Sequence, residues 1–385
     1  MRLKKVLFSR ITVLTVGCVL GLAGCTTRDE PLQKVPTVSP PPKTVRPTVP
    51  PRIIKQQKVA LLVPLSGRHA DVGKSLQQAA ELSLFEHADH HLELLIKDTR
   101  GTAEGARDAA TSALHDGAEV ILGPLFAHEV TAVSMVTQGH IPVLAFSNNR
   151  AVARRGIFTL GYAPADQIAR LVHYAIGQGI QNIALFTPQD EYGRLVAEVF
   201  QNLHSRGLIH LVQHISYQPG HLSHLPPLTA QPIQGLFFAE GGNTVLNLLD
   251  ALHAQGLPLT RFKLFGLSQW EQPQILNNPR LVGGLFVAGD PAARREFEHL
   301  YERAYHQKPA KIAAFAYDAV SLVTVLNKLD KQHPFRIDNF LHPQGFSGVE
   351  GIFRLREDGS VERGLAIHEI TGYGSRIVDP APKRF

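Results

Sequence analysis

The sequence predicts an α/β body built from two Rossmann-like lobes, and three observations carry that prediction. From Lys58 onward, short apolar runs alternate with amphipathic helical stretches, the texture of parallel strands joined by crossover helices. A second series of similar design starts after Gly161. The chain from Thr26 onward contains no cysteine, so neither a disulfide nor a cysteine zinc site holds it together, and the core must.

The elements follow in order. Val59-Ala60-Leu61-Leu62-Val63 is a continuous apolar run, the mark of a buried parallel strand. Leu76, Ala79, Ala80, Leu82 and Leu84 then recur at helical spacing. Leu92–Ile96 is the next strand, and Thr102–His115 an alanine-rich helix. Strands at Glu119–Leu122 and Ile141–Ala145 complete a βαβαβαβ series with right-handed crossovers. In the second series, helices are expected at Ala165–Gly177 and Tyr192–Arg206. Strands are expected at Asn182–Phe186, Ile209–Ile215, Gly235–Ala239 and Lys263–Gly266. The Pro/His stretch Gln218–Pro232 stands where a helix belongs, so that crossover reads as irregular. Past Gly284 come one more strand, helices at Ala292–His306 and Ile312–Leu329, and a β-rich tail.

The amino terminus has another character. Arg2, Lys4, Lys5 and Arg10 precede an apolar run from Ile11 to Leu22, too short to span a bilayer, and Leu22-Ala23-Gly24-Cys25 follows. This resembles the lipobox of bacterial lipoproteins. The resemblance implies cleavage before Cys25, acylation of that cysteine and, with no aspartate at Thr26, sorting to the outer membrane. The formal charge of +6 falls to +2 without the four leader cations, with 35 basic residues against 33 acidic ones. That balance offers nothing to nucleic acid. Eight prolines between Pro31 and Pro51 favour extended polyproline II. Some 25–30 residues of it reach roughly 80–90 Å from an anchor. The expected division is a leader over 1–24, a lipidated tether over 25–57, lobe one over 58–162 and 289–353, and lobe two over 163–288 and 354–385. The chain is expected to cross between lobes near Tyr162–Pro164, near Ala288–Asp290 and around Phe353–Asp358.

Several marks stand in a recognisable order. Pro64-Leu65-Ser66-Gly67 follows the first strand and Gly73 opens the next helix. Gly123-Pro124 follows the third strand, and Ile141-Pro142-Val143 leads to Ser147-Asn148. Asp190-x-Tyr192-Gly193, Ala316-Tyr317-Asp318-Ala319 and Phe346–Gly351 follow in turn. Over about Lys58–Tyr373 this resembles the type I periplasmic-binding-protein fold of the leucine/isoleucine/valine-binding proteins. With the lipobox, the proline tether and the Pro-Leu-Ser-Gly opening, it is most similar to the penicillin-binding-protein activator lipoproteins. That resemblance implies a non-enzymatic outer-membrane lipoprotein that activates or positions a peptidoglycan synthase by direct contact, with no cofactor. Larger members of that family carry an amino-terminal helical-repeat domain where this chain has a short tether. The alternative is an amino-acid or small-solute receptor of an ABC transporter or sensor.

In facing α/β lobes the carboxyl ends of the strands line the cleft. The candidates there are Ser66, Gly67, Gly123, Pro124, Ser147 and Asn148 from lobe one, and Tyr192, Glu240, Gln269 and Trp270 from lobe two. Hydroxyls and glycine amides suit a carboxylate, and Glu240 suits an ammonium group. The plainer reading gives Gly67 and Gly73 to turn geometry, Ser147 and Asn148 to helix capping, Trp270 to an exposed contact or to the core, and the cleft to a vestigial or protein-contact role. The amino-acid binders of the resembled family usually place small hydroxyl residues after Gly-Pro and in the strand-four loop; here these read Leu125-Phe126-Ala127 and Ser147-Asn148-Asn149-Arg150, a departure that would alter or fill the pocket.

Catalytic patterns are poor. Gly67–Ser75 looks like a phosphate-binding loop, but five residues separate its glycines where four are needed. No nucleophile elbow or His-Glu-x-x-His helix occurs. His204, His210, His214, His221 and His224 crowd one region. They read as exposed side chains more readily than as a metal site.

Overall fold

A computed structural model describes residues 56–385, apart from 88–90, 219, 223–224 and 230. The leader, Cys25, the tether up to residue 55 and His224 lie outside the described residues, and Gln57, expected in the tether, already belongs to the first strand.

The first lobe opens with β1 (Gln57–Val63), α1 (Ala70–His87), β2 (Leu92–Asp98), α2 (Ala103–His115), β3 (Val120–Leu122), α3 (Ala127–Thr137), β4 (Val143–Ala145) and β5 (Ile157–Thr159). They form an all-parallel sheet in the order β2-β1-β3-β4-β5. Alternation along β1 assigns the two faces. Val59, Leu61 and Val63 meet α1, while Ala60 and Leu62 meet the alanines of α2 and Val130 and Val133 of α3. Both faces are covered, which is why β1 reads as an unbroken apolar run.

The second lobe contains α4 (Pro164–Gly177), β6 (Asn182–Pro188), α5 (Glu191–Ser205), β7 (His210–Tyr217), β8 (Gly235–Phe238), α6 (Gly242–Ala254), β9 (Lys263–Gly266), α7 (Pro273–Leu276) and β10 (Leu285–Ala288). The chain then adds α8 (Pro291–Tyr305), α9 (Ala313–Leu329), α10 (Ile337–Phe340), β11 (Phe346–Gly348), β12 (Gly351–Leu355), β13 (Val361–Arg363), β14 (Ala366–Ile370) and β15 (Ser375–Asp379). The second sheet runs β15-β14-β10-β9-β8-β6-β7, with β14 antiparallel to both of its neighbours and the other strands parallel. Its cores are Ile183, Leu185, Phe237 and Phe265 against α4 and α5, and Ala184, Phe186, Leu236 and Phe238 against α6 and α7. No helix links β7 to β8 among the described residues, the irregular crossover that Gln218–Pro232 suggested.

Helices α8 and α9 return to the first lobe, where Phe297, Tyr301 and Phe315 join its core. The chain thus passes between lobes after β5 and again after β10. The third passage lies between β13 and β14, later than the stretch Phe353–Asp358 that the sequence suggested. Phe353, Leu355 and Val361 bury in the lobe-one core, and the side chains join lobe two only from Leu365 and Ile367 onward. The antiparallel ribbon β11-β12-β13 therefore belongs with lobe one.

Candidate functional site

The strands of both sheets end at one cleft. Leu125 and Phe126 follow β3, and Phe146, Ser147 and Asn148 follow β4. Ser268, Gln269 and Gln272 follow β9 from the other side, with Tyr192 in the first turn of α5. Gly161 and Tyr162 form the floor at the first passage, Gln167 comes from α4, and Lys311, Ile312 and Phe315 lead into α9. The space between them is about 390 Å³ and open to solvent on one side, the size of a small-ligand pocket.

Much of the polar lining is committed to itself. Tyr192 Oη donates to Gln269 Oε1 at 3.3 Å, and burial pushes the Tyr192 hydroxyl pKa up. Gln167 accepts from Ser268 N at 2.9 Å and donates to Tyr162 O at 3.2 Å. Gln272 Nε2 donates to Gln269 O at 2.8 Å. Lys311 Nζ donates to Ser268 O and pairs with Glu271, both at 2.7 Å. No acidic side chain is among the described residues lining the space.

Beneath the floor lies a buried ionic cluster. Arg294 on α8 donates to Glu271 and to Glu350, and Glu350 also accepts from Tyr162 Oη. Arg363 donates to Leu160 O at 2.8 and 3.1 Å and lies over the rings of Tyr162, Phe315 and Phe353. Asp318 accepts from Val349 N at 2.7 Å and sits 4.0 Å from Arg363. Burial pushes the Asp318 carboxyl up to about 7 against those attractions. Burial also acts on Glu271, but Arg294 and Lys311 outweigh it and hold its pKa below the usual value.

The cleft brings together Ser147, Asn148, Tyr192 and Gln269 of the sequence-predicted residues. The others serve elsewhere. Ser66 Oγ donates to Asp98 Oδ2 at 2.6 Å, and the amides of Leu65, Ser66 and Arg100 point at the same carboxylate. Asp98 thus fills the anion position that the Pro-Leu-Ser-Gly loop seemed to offer. Burial raises its pKa, but the Ser66 hydroxyl and the three amides hold it below the usual range. Gly67 takes φ +78° in this turn. Gly123 is a packing requirement, since a Cβ there would stand 2.1 Å from Leu62 O, and Pro124 is buried beside it. Trp270 is core: it is fully buried, stacks on Phe238 and donates from Nε1 to Glu240 O at 2.9 Å. Glu240 is half-buried behind it, with its carboxyl pKa raised by burial, and is not among the lining side chains.

Lys311, Gln167 and Gln272 were missed because nothing in their local pattern marks them; only the topology places them in the cleft. His204 and His210 have ring centroids 6.2 Å apart, while His214 Nε2 lies 2.8 Å from Thr187 Oγ1. Among the described residues no group of three metal-ligating side chains converges.

Comparison with known proteins fits this architecture. Penicillin-binding protein activator LpoA of Vibrio cholerae is 24% identical over 165 residues, 41% of this chain and 27% of that protein. LpoA of Photobacterium profundum is 23% identical over 152 residues, 38% of this chain and 24% of that one. An uncharacterised protein of Rickettsia prowazekii is 25% identical over 150 residues, 39% of this chain and 40% of its own. The matched stretch thus spans well under half of each relative. Among solved structures, a branched-chain amino acid ABC transporter periplasmic ligand-binding protein from Burkholderia xenovorans superposes with TM-score 0.70 at 15% identity, over 85% of this chain and 96% of its own. An ABC transporter substrate-binding protein from Desulfitobacterium hafniense in complex with Leu gives 0.65 at 18% identity, over 84% and 100%. At such identities the likeness speaks for the fold alone. The periplasmic binding protein family model matches residues 56–374, and the chain accordingly belongs to that family, in its two-lobed type I form.

Proposed function

We propose that this protein is a lipid-anchored accessory protein of the outer membrane that activates or positions a penicillin-binding protein by contact, without chemistry of its own. The observation that carries the reading is the state of the cleft. Much of its polar lining is bonded to itself, Lys311 is tied to Ser268 O and Glu271, and no lining carboxylate is offered to a ligand's ammonium group. The similarity to LpoA supports the same direction. The remaining open space, about 390 Å³, supports the second reading, a small-solute receptor.

Immobilised protein should retain a penicillin-binding protein from detergent-solubilised membranes, detected with a fluorescent penicillin. Free leucine should leave its melting temperature unchanged, because a ligand that binds only the native state raises it. No retained labelled protein together with a clear leucine shift turns the assignment to the receptor. Cys25→Ser should move the protein from the membrane fraction to the soluble one, and a Cys25→Ser protein that stays with the membrane contradicts the anchor.

A further inference from the structure

We propose that the cleft carries its own latch: Lys311 and Arg294 of lobe one grip Glu271 of lobe two and fix the angle between the lobes with no ligand between them. Glu271 follows Trp270 at the cleft end of β9, and Trp270 is rooted in the lobe-two core. Arg294 lies on α8 and Lys311 leads into α9, both packed on lobe one. Every bond from these cations to Glu271 or to Ser268 O therefore joins the two lobes, from Lys311 at the cleft wall and from Arg294 beneath its floor.

The latch is built into the protein, unlike a chance surface pair. Side-chain exposure is 7% at Arg294 and 18% at Glu271. Arg294 cannot follow Glu271 outward, because its other amino group is held by Glu350, which also takes the Tyr162 hydroxyl on the cleft floor. Parting the lobes would strip Glu271 of both its cations and leave Arg294 half-paired in a buried place, where an uncompensated charge is costly. Two longer bonds also join the lobes: Asn149 Nδ2 donates to Glu191 at 3.1 Å, and Arg150 pairs with Asp166 of α4 at 3.3 Å.

A two-lobed receptor closes because its ligand prefers the closed form. Here the chain's own charges supply that preference. The consequence is a single preformed surface across both lobes, which spares a docking partner the cost of ordering it. The inference concerns the lobes alone and stands whichever partner or solute the protein serves.

The test is an inter-lobe distance measured by double electron–electron resonance. The full-length chain would carry Cys18→Ser and Cys25→Ser, with spin labels at Glu104→Cys on α2 and Asn247→Cys on α6. The latch predicts one narrow distance that leucine does not change. It predicts a longer and broader distribution in Glu271→Gln and in Lys311→Met. Arg280→Gln, which removes a surface pair with Asp250, should leave the distance as it was. Lys311 is the more exposed partner, so Lys311→Met decides the matter if Glu271→Gln fails to fold. An unchanged distance in folded Lys311→Met overturns the proposal. So does a parent protein that is already broad and narrows with leucine.

Discussion

Gly73 and Gly193 answer one packing problem twice. Each sits in a helix that follows the first strand of its lobe, and a Cβ would stand 1.8 Å from Pro64 O at Gly73 and 1.9 Å from Pro188 O at Gly193. The glycine lets the helix start lie against the strand end and fixes the cleft-side loop between them. Gly73→Ala should cost about 3 kcal/mol, at the upper end for overpacking. Gly177, at the exposed end of α4, has open space around its Cβ position, and Gly177→Ala should gain about 0.5–1 kcal/mol. Urea midpoints at constant slope measure both. Asp318 makes a pH prediction. With its native pKa pushed up to about 7, above the ordinary 3.8, it binds a proton in the folded protein that the unfolded chain has already released. Its contribution to stability therefore falls as pH rises from about 4 to about 7 and is flat above. Asp318→Asn should remove that part of the slope in urea titrations across the window. At this scale the sequence was a partial guide. Gly73, Ser147, Asn148 and Tyr192 were legible from strand-end position, whereas Ser66 looked like a free donor. Asp98, 32 residues away in sequence, consumes it.

Elements whose burial is two-sided were easiest to read. β1, β6 and β8 each carry a continuous apolar run, Val59–Val63, Ile183–Phe186 and Leu236–Phe238, because helices cover both faces. β5, three residues long, escaped because Ile157–Thr159 is too brief to show a pattern. The third passage was misplaced because β12 and β13 are short and half-polar, and nothing local says which core they serve. The turn after β9 is the element on which the lobe-two wall depends. Trp270 fills the space over Gly266, where a Cβ would meet the indole at 2.1 Å, and anchors Ser268, Gln269 and Glu271 around it. Trp270→Ala should cost about 3–5 kcal/mol and free Glu240 O from its indole partner, read as a lower melting temperature. A loss below 1 kcal/mol would mean that this turn is held by something else.

At the scale of the molecule, two sheets with covered faces leave a cleft whose shape is set by the three passages and by buried charge. Sequence pattern shows each lobe, because each is a run of local elements. It does not show Arg294, Glu271, Glu350 and Lys311 as one cluster, because they come from four separate elements that meet only after the chain has crossed twice. Such a body is suited to presenting a fixed surface, as the proposed action by contact requires. The direct measurement is the glycan polymerisation rate of a purified bifunctional penicillin-binding protein, with and without a saturating amount of this protein. Action by contact gives a faster rate that leucine does not alter. A rate indifferent to the protein, with leucine binding tightly in the cleft, would contradict it.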